Sequence, residues 1–189
     1  MSSQLRNYRL WLKNACSRVL AVCGLMAGLS VVPGITMMAG AQAQTPESIA
    51  TFRDWSVFVK DIAGDKICFA ATEARNKQPT NVNHGDVFFL VATWKSGAAT
   101  NQPSLMTGYN IKESPEPTLR IGADRWEMYS SENEAFIESD SDERRLVTAM
   151  RRGADMRVSA TSVRGTATSY TISLRGISAA LDRVKSACQ

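Results

Sequence analysis

From residue 52 onward the apolar positions of this chain recur either at every second residue or at helical spacing. Phe52–Val59 is rich in aromatic and β-branched residues, with Trp55, Val57 and Val59 on one side, which predicts a strand. Gly64-Asp65 marks a turn before a second strand over Lys66–Thr72, so the two predict a hairpin. Arg75–Gly85 is polar, contains Pro79 and three asparagines, and reads as a loop. Asp86–Trp94 (DVFFLVATW) is the most apolar run and reads as a central strand buried on both faces. Ser96–Gln102 reads as a second loop, and Pro103–Tyr109 as a strand that ends at Gly108. Glu113-Ser-Pro-Glu-Pro117 excludes regular structure, because each proline fixes φ and removes a donor. Thr118–Ile121 and Arg125–Ser130 flank Gly122-Ala-Asp124 as another hairpin, and Glu134–Glu138 reads as a short edge strand.

The spacing changes near residue 140. Asp140 with Glu143 three positions later resembles a helix cap, Leu146, Val147 and Met150 share one face, and Gly153 stops the helix. A second helix starts near Ser178, with Ile177, Ala180, Leu181 and Val184 as its stripe and Cys188 one turn further. Between them, Met156–Ser162 and Thr168–Leu174 alternate as strands joined across Arg164-Gly165. Strands dominate, so the expected class is mainly β, a sandwich with one or two short helices.

The amino end does not belong to this pattern. Arg6, Arg9, Lys13 and Arg18 come without an acid, a largely apolar stretch runs from Val19 to Ala41, and Ala41-Gln42-Ala43 follows. That order is a basic region, an apolar region and an A-x-A cleavage site, the pattern of an export signal. The alternative is a retained anchor, against which Gly24, Gly28, Pro33, Gly34 and Gly40 interrupt the apolar run. The expected organisation is a signal peptide over residues 1–43, a flexible leader over 44–51 and one domain over 52–189. Without the signal the 22 basic side chains fall to 18, which matches the 18 acids. The basic isoelectric point therefore carries no case for a nucleic-acid partner. After cleavage no stable membrane span is expected, and the location is periplasm or medium.

Export also changes what the cysteines imply. Cys16 and Cys23 lie in the signal, leaving Cys68 and Cys188, and an even pair in an oxidising compartment predicts a disulfide. Two free buried thiols are the alternative, and there is no C-x-x-C for redox catalysis.

Catalytic chemistry is sparse. His84 is the chain's single histidine, which excludes two-histidine zinc motifs. It sits in the Asn81–Asp86 loop, where a solvated side chain is the plain expectation and a general base the sharper one. Glu132, Glu134, Glu138, Asp140, Asp142 and Glu143 could gather calcium, yet the mid-loop glycine of an EF-hand is missing, and helix capping explains them as well. No cofactor, metal or catalytic residue is assigned.

Charge is segregated along the chain. Residues 44–142 hold 9 basic and 15 acidic side chains, whereas 143–189 hold 9 basic and 3 acidic. Either the halves interleave on folding, or Arg151, Arg152, Arg157, Arg164 and Arg175 form a patch for an anionic partner such as lipid headgroups, envelope polysaccharide or an acidic protein face.

Several stretches, in order, resemble the invasion-associated locus B family of exported bacterial proteins. They are Asp54-Trp55, Cys68-Phe69-Ala70, Phe89-Leu90-Val91, Gly108-Tyr109 with Lys112, Ile121-Gly122 before Trp126, Met128-Tyr129, Leu146-Val-Thr-Ala-Met-Arg-Arg-Gly153, Thr161-Ser-Val-Arg-Gly-Thr166, Tyr170-Thr-Ile-Ser-Leu174 and Ala180-Leu-Asp-Arg183 leading to Cys188. The resemblance implies an immunoglobulin-like sandwich, exported, with a family name taken from host-cell invasion. Many relatives carry a cysteine shortly after the Asp-Trp pair, where this chain has Phe58-Val59-Lys60. The function expected is non-enzymatic contact with an envelope or host-cell macromolecule. The alternatives are a periplasmic chaperone-like or structural protein and a hydrolase using carboxylates or His84.

Overall fold

Strict alternation decides which side of each strand turns inward. In the computed structural model, which describes residues 48–189, every strand pairing is antiparallel and the strands form two sheets. The first has seven strands in the order β1 (Ser48–Phe52), β2 (Trp55–Ile62), β3 (Asp65–Glu73), β5 (Phe88–Trp94), β6 (Gln102–Met106), β10 (Glu134–Phe136) and β9 (Tyr129–Ser131). The second has five, in the order β4 (Arg75–Gln78), β12 (Ala167–Ser173), β11 (Asp155–Thr161), β7 (Thr118–Ile121) and β8 (Asp124–Glu127). Trp55, Val57, Cys68, Ala70, Phe89 and Val91 of the first sheet are fully buried, and they share one core with Leu119, Val158, Tyr170 and Ile172 of the second. The fold is a mainly β sandwich.

Two helices complete the cover. α1 (Asp140–Met150) and α2 (Ile177–Ala187) bury the stripes their spacing predicts, Leu146, Val147 and Met150 in one and Ile177, Ala180, Leu181 and Val184 in the other. α2 packs on β1, β2, β3 and β5, on the side where Cys188 is disulfide-bonded to Cys68 of β3 with the Cα atoms 5.8 Å apart. Since Cys68 points inward, α2 shares the inner side of the seven-stranded sheet with the second sheet. Gly176 caps α2 with φ 98°, and a Cβ there would overlap the Phe52 carbonyl oxygen, so only glycine fits this junction.

The Asp54-Trp55 pair ties the sheets together. Trp55 Nε1 donates to the Ser173 carbonyl at 2.9 Å, and Ser173 Oγ donates to Asp54 Oδ2 at 2.6 Å. Arg75 pairs with the other Asp54 oxygen at 2.6 Å. The Ser173 hydroxyl, and then the Arg75 charge, hold the Asp54 carboxyl below its ordinary range despite the opposing cost of desolvation.

Several expectations change. Residues 48–51, expected within a flexible leader, form β1 with Phe52, and Ala50 and Phe52 pack on the core; residues 1–43, the expected signal, lie outside the described residues. Phe52–Val59 is not one strand: Arg53 has φ 55° and turns the chain between β1 and β2. The loop over Arg75–Gly85 contains β4, a four-residue edge strand too polar to show in the pattern. Arg125–Ser130 divides at Met128, β8 staying in one sheet and β9 crossing to the other. β10 lies inside its sheet between β6 and β9, so Glu134–Phe136 is no edge strand. The cap of α1 is Ser139, whose Oγ accepts from the Asp142 N–H at 3.1 Å, and the first-turn acids Asp140, Asp142 and Glu143 complement the helix dipole. Finally, β5 is fully buried on one face only, since Phe89 and Val91 point inward while Phe88, Leu90 and Trp94 are half-buried on the other.

Candidate functional site: two open sheet faces

His84 is 7% exposed, so the solvated loop position expected for it is corrected. Its Nε2 lies 2.8 Å from the Pro79 carbonyl and must donate there. In the neutral ring Nδ1 then accepts from the Tyr170 hydroxyl at 3.0 Å. Tyr109 and Thr168 continue the chain, the Tyr109 hydroxyl standing 2.8 Å from that of Tyr170 and 2.7 Å from Thr168 Oγ1. Burial pushes the Tyr170 phenol up, which keeps it protonated as a donor. Gly108 makes this closure possible, because a Cβ on it would meet Gly85 Cα at 2.8 Å. Both ring nitrogens are engaged, so the network joins the loop before β5, the segment after β6 and β12, and presents no free base to a ligand.

The acidic stretch does not converge. Among the described residues no group of three or more His, Cys, Asp or Glu side chains could hold a metal ion. Glu143 is half-buried, and desolvation followed by the nearby Asp140 charge pushes its carboxyl up to about 7. Burial, with the Glu132 charge next, likewise raises Glu134.

The five arginines singled out by charge segregation go to different places. Arg151 caps α1 and pairs with Asp182 of α2 at 3.0 Å, while Arg152 donates to the Thr148 carbonyl. Arg164 sits in the β11–β12 turn beside Val163, which is 61% exposed, and Arg175 follows β12 near Asp54. Only Arg157 lies on a sheet face, and there it has company. Arg157 is paired across the ladder with Arg120 of β7, and Arg120 with Arg125 of β8. On its other side stand Thr171 of β12 and then Arg75 of β4. One outward row thus reads Arg75, Thr171, Arg157, Arg120, Arg125, spanning about 19 Å at the usual strand spacing of about 4.8 Å. The adjoining row is Gln78, Ser169, Ser159, Thr118, Glu127.

Like charges directly opposite one another in a sheet destabilise it. Arg75 is held by Asp54, and Arg125 loosely by Glu127 at 3.6 Å, with Asp155 two residues before Arg157. Among the described residues neither Arg120 nor Arg157 has an ion pair. The row draws Arg75, Arg120 and Arg125 from the acid-rich part of the chain, which a running charge count hides. The signal available was local: a two-residue turn at Gly122-Ala123 forces Arg120 opposite Arg125.

The outer face of the seven-stranded sheet has the opposite character. Phe58, Ile67, Phe69, Phe88, Leu90, Trp94, Met106, Phe136 and Tyr129 all point away from the core and none belongs to its cluster. Phe58 and Phe69 stack with centroids 5.2 Å apart, and Tyr129 and Phe136 stand at 5.7 Å.

A family model described as invasion associated locus B protein matches residues 55–185. No curated protein matches the chain. Among solved structures, the crystal structure of invasion associated protein B from Bartonella henselae is similar with a TM-score of 0.52 at 20% identity, over 72% of this chain and 94% of that one. At that identity the likeness is one of fold. No described helix is long and apolar enough to cross a membrane. The family match spans both sheets, both helices' stripes and the sheet-joining Trp55, and on it the chain belongs to the invasion-associated locus B family.

Proposed function

We propose that this protein works by contact rather than by catalysis, as an exported protein that binds an anionic component of the bacterial envelope or of a host surface through the arginine row. The observation that carries this is Arg120, which stands between Arg157 and Arg125 without an acid of its own. A sheet that needed only to be soluble would alternate signs there, because opposed cations cost stability. The Thr171 hydroxyl within the row and those of Ser159, Ser169 and Thr118 beside it supply donors for phosphate, sulfate or carboxylate oxygens. Arginine suits such groups, since its planar fork binds them in pairs of hydrogen bonds. The occupied ring of His84 favours contact over hydrolysis. Family membership and the Cys68–Cys188 bridge support an oxidising location, periplasm or medium.

The test is a titration of the full chain with lipopolysaccharide and with vesicles of phosphatidylglycerol or phosphatidylcholine, at low and high salt. Binding to the anionic ligands is expected to weaken about tenfold or more as salt rises. Arg120→Glu with Arg157→Glu is expected to abolish it, while Arg151→Glu with Arg152→Glu leaves most of it. Salt-independent binding, or an unaffected double variant on the sheet, would remove the proposal.

A further inference from the structure

We propose that the outer face of the seven-stranded sheet is where a second copy of this chain docks, sheet against sheet. The inference is independent of the arginine row, which lies on the other side of the sandwich.

β5 gives the first reason. Its sequence FFLVATW has the composition of a strand covered on both sides, yet among the described residues only its inner side joins the core and the outer side chains are half-buried. Its neighbours share the excess, which concentrates nine large apolar side chains on one face. Monomers rarely expose contiguous apolar patches above a few hundred Å². The sheet's strands hold 40 residues. At about 3.3 Å by about 4.8 Å each they project roughly 630 Å². Two copies would bury about 1,250 Å², which reaches the range of about 1,200–2,000 Å² for stable specific interfaces.

The second reason is that the face fits itself. Two adjacent rows cross its centre: Phe58, Phe69, Ala92, Gln102 and Ser56, Ala71, Leu90, Ser104. A two-fold axis running across the strands between these rows exchanges them. Phe58 of one copy then faces Ser56 of the other, Phe69 faces Ala71, and Leu90 faces Ala92. In these two rows each large side chain meets a small one in the same strand, which is the pattern that lets two layers interdigitate, while the flanking rows set Trp94 against Phe88. The axis also carries Lys60, at one end of the face beside Ile67, toward the end where Glu73 stands beside Phe88. Between Phe58 and Ala92 the centre is apolar, and the Glu143 carboxyl of α1 reaches only its Gln102 margin. The ends hold opposite charges, Lys60 at one and Glu73 with Glu134 at the other, as in a homodimer interface with an apolar middle and a polar rim. Isologous contact of this kind closes on itself and yields a dimer rather than a fibre.

Sedimentation equilibrium of the full chain, with folding followed by circular dichroism, tests the proposal. The chain is expected to sediment as a dimer, and Phe69→Glu to raise the dissociation constant by about thirtyfold or more while the fold survives. Leu90→Ala and Ala92→Leu should each weaken the dimer. Made together they should restore it, because the axis merely exchanges the large and the small position. A second probe needs no disruptive change: Ala92→Cys, treated with a short bis-maleimide, should give a cross-linked pair. A chain that stays monomeric at high concentration would overturn the proposal. So would a double swap no better than either single change, or a monomer that uses this face to enter neutral vesicles.

Discussion

The two outer faces of this sandwich are built by the same rule and end in opposite chemistry. In β11, Met156, Val158 and Ala160 turn inward while Asp155, Arg157, Ser159 and Thr161 turn out, a strict alternation of apolar and polar. In β5 the inward Phe89 and Val91 are matched by Phe88, Leu90 and Trp94 outside. The inward Phe89 and Val91 of one and Met156, Val158 and Ala160 of the other are all buried in the shared core. What is added outside one sheet is apolar surface beyond the needs of the core, and outside the other it is charge placed against its like. The opposed arginines cost the isolated domain stability, and the apolar face gives it only its cross-strand pairs such as Phe58 on Phe69. The partners proposed for them are an anionic surface on one side and a second copy on the other.

The disulfide offers the largest way to break the molecule without touching either face. In the chain-entropy picture a link across about 120 residues is worth about 4–5 kcal/mol. Cys68→Ala with Cys188→Ala should lower the urea-unfolding free energy by that order, while the variant, where still folded, keeps both binding properties. Next in size is the contrast within β5. Phe89→Ala should cost about 3–5 kcal/mol because it opens a core cavity. Phe88→Ala, one residue away on the open face, should cost under about 1 kcal/mol in a dilute monomer. Equal costs would mean that the open face is not open.

Two smaller effects sharpen the picture. The Glu143 carboxyl titrates near 7 in the fold, above its ordinary value near 4.5 in the unfolded chain, so the folded state binds its proton more tightly. Stability from this group is greatest below about 4.5 and is lost as pH rises through about 7. Glu143→Gln should thus stabilise the protein at pH 8 by about 1 kcal/mol, after allowance for its partial exposure, and leave it little changed at pH 4. Thermal unfolding at the two pH values reads this directly. Smallest of all, Arg120→Thr should raise stability by a few tenths of a kcal/mol by separating Arg157 from Arg125, while weakening anion binding. Lower stability in that variant would mean that the row is satisfied in a way its geometry does not display.

Much of the fold was legible in the sequence because it rests on local periodicity. The helices of Asp140–Met150 and Ile177–Ala187 declared themselves through stripes at helical spacing. The hairpins across Gly64, Gly122 and Gly165 declared themselves through turn residues between alternating runs. Less visible were elements defined by neighbours alone. β4 has no apolar alternation, and it exists because β12 offers an unpaired edge. The crossing of Tyr129–Ser131 to the other sheet leaves no mark in composition. The candidate surfaces divided in the same way: Arg120 against Arg125 followed from turn length, whereas Arg157 against Arg120 needed the register of strands 37 positions apart.

The sequence by itself determined the strand-rich class, both helices and its family, since each depends on residue type and short spacing, and the even count of its two late cysteines predicted their pairing. The tertiary structure alone decided which face of each strand met a partner and which met solvent. An apolar run such as β5 reads identically whether one or both of its sides are covered, because burial belongs to the neighbours and not to the strand. For the same reason the arginines parted. Charge adds along a chain, but it acts through space, and only the folded sheets set Arg157 beside Arg120 and sent Arg151 to Asp182.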